Sequence, residues 1–269
     1  MPRNTGFCYA NNLGYAASRG KYIALLNNDT RADSNWLYSL TNKMEKDERI
    51  GICASRILLF DKPEFLDAAG DGYDFSGVGF RRGHGAMASS FARCEQVFGA
   101  CAAAASYRKS MLDEIGFFDE DFFAIGEDID LSFRAKLAGY KCVYVPEALV
   151  YHKVSGTIGV ESNFQVYQSR RNVEYVYFRN MPIVLIYLTF PVHILYNLLT
   201  LIHAIMNGKL TWFLKAKRDF LLHFTNVRQK RIEIQRRRKI SLSDLFFSFS
   251  RTYLLRRTQR GVAQSGLKR

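Results

Sequence analysis

The chain has 269 residues, of which 48% are hydrophobic, 14% aromatic and 23% charged. This composition excludes a disordered or collagen-like protein and leaves room for one large domain with an appendage. The net charge of +13 by itself favours a nucleic-acid or membrane partner. However, residues 1–169 hold 18 basic and 21 acidic residues, whereas residues 170–269 hold 20 basic and 4 acidic residues. The sequence therefore predicts two parts with different roles, which we place at 1–160 and 161–269.

The first part alternates strand-like and helix-like patterns, which indicates an α/β layered domain. Asp33 or Ser34 is expected to cap its first helix, and Gly139 to follow its last helix in the C′ position. Six glycines lie within 70–85, which we interpret as a loop and not as a packed element. The predicted elements in chain order are a strand at 22–26, a helix around 36–44, a strand at 50–60, a helix at 109–115, a helix at 127–138, and strands at 141–145 and 148–151 separated by Pro146.

The second part is predicted to be mostly helical. Residues 183–206 carry no formal charge; as a helix they would be about 36 Å long, enough to cross a hydrocarbon core of about 30 Å. The polar residues here are uncharged and share one helical face, so we expect that face to pack on protein and the remainder to face lipid. These polar residues are Thr189, His193, Asn197, Thr200 and Asn207. Spanning, re-entrant and in-plane arrangements all stay open. The other predicted segments are a helix at 161–180, a basic amphipathic helix from 210, a basic run at 228–239 and a helix around 245–255.

The cysteines argue against both a disulfide framework and a zinc site. There are five, an odd number, and no two of them form a CxxC pair. We therefore expect buried free thiols in a reducing compartment. The cysteines are Cys8, Cys53, Cys94, Cys101 and Cys142.

Two residues are candidate metal ligands because of their positions relative to predicted strands. Asp29 follows the strand at 22–26, and ligands of open α/β sheets gather at the carboxyl ends of strands. An aspartate at such a place can equally be a turn residue. His152 follows the strand at 148–151; a lone histidine of this kind is a structural donor unless it meets Asp29 in space, since imidazole is a common metal ligand.

An acidic cluster at the start of the helix at 127–138 is the second candidate site. Glu127, Asp128 and Asp130 occupy three of four successive positions, after two phenylalanines and a glycine. The helix dipole favours acids at a helix N-terminus and accounts for one or two of them. A carboxylate beside an apolar wall could also accept a proton from a substrate hydroxyl as a general base.

Taken together, these pieces resemble family 2 glycosyltransferases, particularly the rhamnosyltransferase-like branch with the nucleotide-diphospho-sugar (GT-A) fold. Each piece is weak alone, but their order and spacing match over residues 4–156. The matching pieces are Asn4-Thr5-Gly6-Phe7-Cys8-Tyr9-Ala10-Asn11-Asn12-Leu13-Gly14, Leu25-Leu26-Asn27-Asn28-Asp29-Thr30, Gly99-Ala100-Cys101, Ile115-Gly116-Phe117-Phe118-Asp119-Glu120, Glu127-Asp128-Ile129-Asp130-Leu131 with Arg134, Gly139-Tyr140, Pro146-Glu147-Ala148 and Tyr151-His152.

The resemblance implies transfer of a sugar from a nucleotide-diphospho-sugar to an acceptor hydroxyl, with inversion at the anomeric carbon. Asp128 matches the catalytic base, and Glu127 would orient the base or the acceptor. Asp29 lies in the position of the family's DXD metal motif, whose first position is Asn here, and His152 can complete a site for Mg²⁺ or Mn²⁺. The residues implied to bind substrate are Asn11, Asn12, Asn27, Asn28, Gly99, Ala100 and Arg134.

The resemblance also predicts the fold class: an α/β protein with a GT-A-like mixed sheet flanked by helices, followed by a helical, membrane-associated C-terminal region. In the family, a strand, a helix and a second strand precede the segment that matches Asn4 to Phe7. Here the chain begins three residues before that segment. We therefore expect the sheet to lack its first strands and the sequence to be an N-terminally truncated fragment.

The resulting hypothesis is a membrane-associated glycosyltransferase at the cytoplasmic face of the cell membrane, acting in cell-surface polysaccharide or lipid-linked glycan synthesis. Its expected partners are a nucleotide-sugar donor, a glycan or lipid-linked acceptor and an anionic membrane surface. The alternative is a catalytically dead truncated member that only binds membrane or a partner. Nucleic acid is not expected, because the basic run at 228–239 has no interleaved aromatic residues and adjoins an apolar segment.

Overall fold

The computed structural model describes residues 4–153 and 162–250. These residues form nine strands and nine α-helices. The strands are β1 (Tyr22–Leu26), β2 (Thr30–Ala32), β3 (Ile50–Leu59), β4 (Lys62–Ala69), β5 (Asp71–Tyr73), β6 (Gly79–Arg81), β7 (Glu95–Val97), β8 (Ala104–Arg108) and β9 (Lys141–His152). The helices are α1 (Phe7–Ala17), α2 (Trp36–Glu45), α3 (Lys109–Ile115), α4 (Glu127–Leu137), α5 (Asn163–Asn180), α6 (Ile183–Met206), α7 (Leu210–Leu222), α8 (Phe224–Arg236) and α9 (Leu242–Phe247).

A mixed sheet organises the first part of the chain. Its strands follow the order β1-β8-β3-β9-β2, with β4 added to β3 and β7 added to β9. The strands β3 and β9 are parallel, whereas β8 is antiparallel to both β1 and β3. Consequently β1, β3 and β9 run in the same direction, and their carboxyl ends meet at one edge of the sheet.

Helices cover both faces of this sheet, as predicted. One face packs against α2 through Trp36, Leu40 and Met44, each of which is buried. The other face packs against α3 and α4, whose buried side chains include Met111 and Leu131. The mixed α/β sheet flanked by helices is therefore confirmed. The start of α2 lies slightly later than predicted, at an Asn35 N-cap, because the Asp33 carboxylate instead accepts a hydrogen bond from the Asn35 N–H at 3.0 Å.

The glycine-rich segment 70–85 is a packed hairpin and not the predicted loop. The strands β5 and β6 pair within it, and Tyr73 is fully buried against Phe98. The glycines make this packing possible, because a Cβ at Gly72 would lie 2.3 Å from the Phe80 ring and a Cβ at Gly79 would lie 2.5 Å from Ile129. The glycines that suggested a loop thus allow close packing instead.

The strand β9 is continuous from Lys141 to His152, although two strands separated by Pro146 were predicted. Its pairing with β3 shifts register between Ser55 and Arg56, whose partners are Val145 and Leu149. The extra residues around Pro146 are accommodated by this irregularity, which removes the need for a proline N–H in the ladder.

The predicted burial of the thiols holds for four of the five cysteines and is wrong for Cys94, which is exposed. All five cysteines are free, and all but Cys94 are buried. Burial raises the pKa of Cys53 to about 12, so this thiol is not a reactive nucleophile.

The second part is helical, as predicted, and α6 has the predicted bounds. On the predicted polar face of α6, Thr189, His193 and Thr200 are buried against protein. The predicted helix at 161–180 begins at Asn163, and its predicted first residue, 161, lies outside the described residues. The predicted boundary at 160/161 and residues 251–255 of the predicted last helix also lie outside them.

A buried ionic cluster joins α5, α6 and α7. The Glu174 carboxylate accepts a hydrogen bond from His193 Nε2 at 3.0 Å and pairs with the Lys217 ammonium. Burial opposes ionisation of Glu174, but the His193 hydrogen bond and the Lys217 charge outweigh it and lower the pKa of this carboxyl to about 2. Since His193 Nδ1 also contacts the Ser76 carbonyl at 2.6 Å, this cluster ties the helices to the hairpin.

The Glu174→Ala variant tests this cluster. Removal of one member of a buried charged cluster leaves the others without compensation, so we expect the free energy of unfolding to fall by about 3 kcal/mol or more. Urea denaturation followed by circular dichroism measures it. The control is Glu233→Ala on α8, an exposed glutamate, for which a change within about 0.5 kcal/mol is expected; equal effects of the two substitutions would contradict the role of the cluster.

Candidate active site

The carboxyl-end edge of the sheet brings Asp29 and His152 together. After β1, the Asn27 N–H donates to the Ala103 carbonyl at 2.9 Å, and the chain turns back into β2. The pairing of β2 with β9 places Thr30 opposite His152. The Asp29 carbonyl accepts a hydrogen bond from the Lys153 N–H at 2.9 Å. This bond holds the backbone of Asp29 next to the end of β9, where His152 lies.

His152 bridges two carboxylates. Its Nε2 lies 3.2 Å from Asp29 Oδ1, and its Nδ1 lies 2.8 Å from Asp67 Oδ2. Burial opposes ionisation of Asp67, but hydrogen bonds from His152 and His84 hold its pKa well below the ordinary value. An ionised Asp67 that accepts a hydrogen bond from Nδ1 orients the ring, so that Nε2 faces Asp29.

Asp67 also connects this pair to the hairpin, and the sequence analysis did not single it out. Its Oδ1 accepts a hydrogen bond from Arg81 at 2.7 Å and lies 3.1 Å from His84 Nδ1. The side chain of Asp67 is fully buried within β4. The sequence carried no signal for it, because a single aspartate in a strand gives no indication of which histidine it will meet.

Asp128 and the Asp29–His152 pair are both connected to the segment 101–103. Its Oδ2 accepts a hydrogen bond from the Ala102 N–H at 3.3 Å, while the adjacent Ala103 carbonyl is the group bonded to Asn27. Its Oδ1 accepts from the Ile129 N–H at 2.8 Å at the start of α4. Burial raises the pKa of Asp128 above its ordinary value despite these hydrogen bonds. A carboxylate with a raised pKa is a better proton acceptor than one in water.

Two further carboxyls share this environment. Burial and the neighbouring Asp128 charge raise the pKa of Glu127 to about 8, and among the described residues its buried Oε2 has no hydrogen-bond partner. Burial and the same charge raise the pKa of Asp71, which pairs through its backbone with Gly99. Mutual repulsion keeps these groups from all being ionised together, which leaves a proton within the cluster.

A strained turn leads into the acidic cluster. Phe123 and Ile125 have φ angles of 63° and 72°, unusual for residues with side chains and particularly for β-branched isoleucine. The Asn172 amide of α5 donates to three carbonyls in this turn: Phe122 at 3.1 Å, Ala124 at 3.0 Å and Ile125 at 2.7 Å. These hydrogen bonds supply a stabilisation that offsets backbone strain of this kind.

Three residues implied to bind substrate have side chains that form hydrogen bonds within the protein. The Asn11 amide donates to the Phe7 carbonyl of its own helix at 2.8 Å. Asn12 exchanges hydrogen bonds with the Phe118 backbone. The buried Arg134 guanidinium binds Asp130 at 2.7 Å and three carbonyls within 115–117. Asn12 and Arg134 line a cleft of about 370 Å³ that also includes Lys230 of α8.

The remaining candidates lie against α4 or in the segment that precedes Asp29. A Cβ at Gly99 would lie 2.6 Å from Ser132 Oγ, so only glycine allows this approach to α4. Ser132 Oγ also accepts a weak hydrogen bond from the Ala100 N–H at 3.4 Å. Asn27 and Asn28 form the turn before Asp29. No group of three or more histidine, cysteine or acidic residues in 4–153 and 162–250 is arranged to hold a metal by itself.

The model of the family described as "Glycosyl transferase family group 2" matches residues 22–214, from β1 into α7. The chain belongs to glycosyl transferase family group 2. The predicted glycosyltransferase is thereby confirmed at the level of the family, and the match includes Asp29, the acidic cluster, His152 and α5.

Relatives of this glycosyltransferase chain are distant. It is 29% identical over 178 residues to an uncharacterised protein of Sinorhizobium fredii, over 62% of this chain and 19% of that protein. It is 24% identical over 159 residues to poly-β-1,6-N-acetyl-D-glucosamine synthase of Staphylococcus aureus, over 59% of this chain and 37% of that protein. The chain thus spans well under half the length of these curated relatives.

A solved structure shows the same fold. The crystal structure of GalNAc-T7 with UDP, GalNAc and Mn²⁺ superposes with a TM-score of 0.52 at 18% identity, over 66% of this chain and 35% of that one. A GT-A-like fold is therefore shared, as the resemblance implied.

Substitution of Asn172 tests whether α5 holds the turn before the acidic cluster. In Asn172→Ala the three carbonyls lose their donor, so we expect the free energy of unfolding to fall by about 2 kcal/mol or more. Asn172→Asp keeps the size but places an acceptor against these carbonyls, and a larger loss is expected. Urea denaturation compares both with Asn207→Ala, whose exposed amide bonds only within its own helical turn. If Asn172→Ala were no worse than Asn207→Ala, the proposed support would be absent.

Proposed function

We propose that this glycosyltransferase transfers a sugar from a nucleotide-diphospho-sugar to an acceptor hydroxyl, with inversion at the anomeric carbon and with Asp128 as the general base. The observation that carries the proposal is a half-buried carboxylate with a raised pKa at the sheet edge that also holds the Asp29–His152 pair. The family match supports the reaction class, and the chain's short coverage of its relatives leaves its substrates to experiment.

In the proposed reaction, the acceptor oxygen forms a bond to the anomeric carbon as the bond from that carbon to the phosphate oxygen breaks. The leaving nucleotide diphosphate keeps the electron pair of the broken bond. Asp128 takes the proton of the acceptor hydroxyl, and Glu127 orients the base or the acceptor. Because the displacement is a single step on the opposite face of the sugar, it gives inversion without a covalent enzyme intermediate.

Asp29 and His152 fit one side of a Mg²⁺ or Mn²⁺ site. The donor set is a carboxylate oxygen and an imidazole nitrogen, and Asp67 orients the ring through Nδ1, an arrangement typical of metal-binding histidines. Two protein ligands leave positions for diphosphate oxygens. A divalent cation held there would neutralise charge on the leaving diphosphate. Asn27, Asn28, Gly99 and Ala100 surround this edge and are proposed to contact the donor or acceptor.

We further propose that the enzyme belongs to the rhamnosyltransferase-like branch and acts at the cytoplasmic face of the cell membrane. The ordered motifs of the first part support the branch. The relative named poly-β-1,6-N-acetyl-D-glucosamine synthase supports a role in polysaccharide synthesis. A lipid-linked glycan is an equally suitable acceptor class, since it offers the same attacking hydroxyl.

Asp128→Asn tests the proposed base. Asparagine keeps the shape but cannot accept the acceptor proton, so the turnover rate is expected to fall by about 10²–10⁴-fold. Release of nucleotide diphosphate from a panel of nucleotide sugars, with membrane glycans as acceptors, provides the rate. The matched control is Asp113→Asn on α3, a solvent-accessible aspartate bonded to Lys109, which should keep the wild-type rate. A wild-type rate for Asp128→Asn would show that another group takes the proton.

Asp29→Ala tests the proposed cation site independently of turnover. Loss of the only carboxylate proposed to contact the cation should weaken Mn²⁺ binding at least tenfold in the presence of UDP, GDP or dTDP. Electron paramagnetic resonance of free Mn²⁺ measures this binding directly. Asp113→Ala serves as the control, and unchanged Mn²⁺ affinity in Asp29→Ala would remove Asp29 from the site.

A further inference from the structure

The helix α6 exposes a long apolar face. It is the helix among the described residues that is long and apolar enough to cross a membrane. Its exposed side chains are uncharged along all 24 residues, and an apolar surface of this extent is unusual on a soluble monomer. The large exposed hydrophobic residues are Ile183, Val184, Tyr187, Leu188, Phe190, Ile194, Leu195, Leu198, Leu199, Ile202, Ile205 and Met206.

The opposite face of α6 lies along α5. Tyr177 bonds Thr189 at 2.9 Å, Glu174 bonds His193 at 3.0 Å, and Arg170 bonds Tyr196 at 2.5 Å. Residues later in α6 bond residues earlier in α5, so the two helices are antiparallel neighbours. The buried residues of α6 continue this contact face from Leu185 to Ala204.

In turn, α5 is fixed to the body that carries the active site. Asn180 donates to Asp130 of α4 at 2.8 Å, and Arg179 pairs with Asp119 at 3.0 Å. Together with the Asn172 hydrogen bonds, these contacts extend over the C-terminal half of α5. Therefore α6 runs along the flank of the catalytic body rather than away from it.

This arrangement is incompatible with α6 crossing a bilayer. A spanning α6 would carry α5 into the hydrocarbon with it, including Arg170, Arg171 and Glu174, and would also carry Lys217 of α7. Charged side chains at this depth are strongly disfavoured, and the remainder of the catalytic body would have to follow. An in-plane orientation, in contrast, leaves all these groups on the protein side.

Positive charge borders the apolar face. On α7, the exposed Leu214, Arg218 and Leu221 follow one another at helical spacing, a mixture of apolar and basic residues typical of interfacial helices. Near the start of α6, Ile183 and Val184 line a cleft together with Ile232 of α8 and with Arg238, which follows α8. Residues 209–239 hold eleven lysines and arginines and only two acidic residues. Lys217, Lys230 and Lys239 pair with acidic groups of other segments, and the basic residues that remain match an anionic lipid surface.

We propose that the exposed faces of α6 and α7 form a monotopic membrane surface that lies in the plane of an anionic leaflet and does not cross it. The apolar side chains of α6 enter the boundary of the acyl chains, and the exposed basic residues beside them, including Arg218 and Arg238, contact lipid phosphates. This proposal does not rest on the identity of the donor, the acceptor or the base.

Cysteine accessibility distinguishes an in-plane α6 from a spanning one. The probe is a membrane-impermeant maleimide added to inside-out vesicles from cells that express the full chain. The variant Asn207→Cys, in a Cys94→Ser background, reports the exposed end of α6, and native Cys94 reports the catalytic side. We expect both cysteines to react from outside at rates within about threefold. Protection of Asn207→Cys until detergent is added would establish a spanning helix and overturn the proposal.

Flotation identifies what covers the apolar face. The purified chain is expected to float with phosphatidylcholine–phosphatidylglycerol vesicles and to float at least tenfold less with phosphatidylcholine alone. The double variant Leu195→Glu/Leu199→Glu places charge on the exposed face and should lose flotation, while keeping the wild-type melting temperature. The matched control, Leu37→Glu/Tyr38→Glu, changes two equally exposed residues of α2 and should float normally. If the wild-type chain does not float, and instead forms dimers that Leu195→Glu/Leu199→Glu dissociates, then a second copy of the chain covers this face and the proposal is overturned.

Discussion

The hydrogen bonds from Asn172 to the turn at 122–125 connect the two parts of this protein. That turn holds two residues at positive φ, and it determines how α4 begins and therefore where Asp128 and Glu127 point. The donor comes from α5, which lies in the chain after His152. The acidic cluster thus depends on a helix far from it in sequence, and α5 is a support of the active site as well as the partner of α6.

Burial gives the site its electrostatic character. The charge of Asp128 raises the pKa of both Asp71 and Glu127, in addition to the effect of burial, and burial raises the pKa of Asp128 itself. On the other side of the segment 101–103, Asp67 is held ionised by basic partners. One side therefore favours proton acceptance and the other favours a cation, which is the division of roles that the proposed metal-assisted glycosyl transfer requires.

Local patterns predicted much of the fold. The strand at β1, the helices α3 and α4 and the bounds of α6 follow from apolar periodicity and from glycine at a helix end. The predictions for the segment 70–85 and for β9 were wrong, because tertiary packing determines the structure there. The glycines of 70–85 allow β5 and β6 to pack closely, and the register shift between β3 and β9 lets one strand pass through Pro146. Asn11, Asn12 and Arg134 matched family motifs, but sequence could not indicate that their polar groups bond to the protein itself.

The sequence by itself determined the family, the two candidate residue sets and the neutral polar face of α6, because each depends on residue types at short spacing. Only the tertiary structure decided that His152 lies between Asp29 and Asp67, since that contact depends on the pairing of β2 with β9 and of β4 with β3. It also decided the orientation of α6. A helix of 24 uncharged residues satisfies the length for crossing a membrane, but its buried hydrogen bonds to charged residues of α5 keep it against the catalytic body.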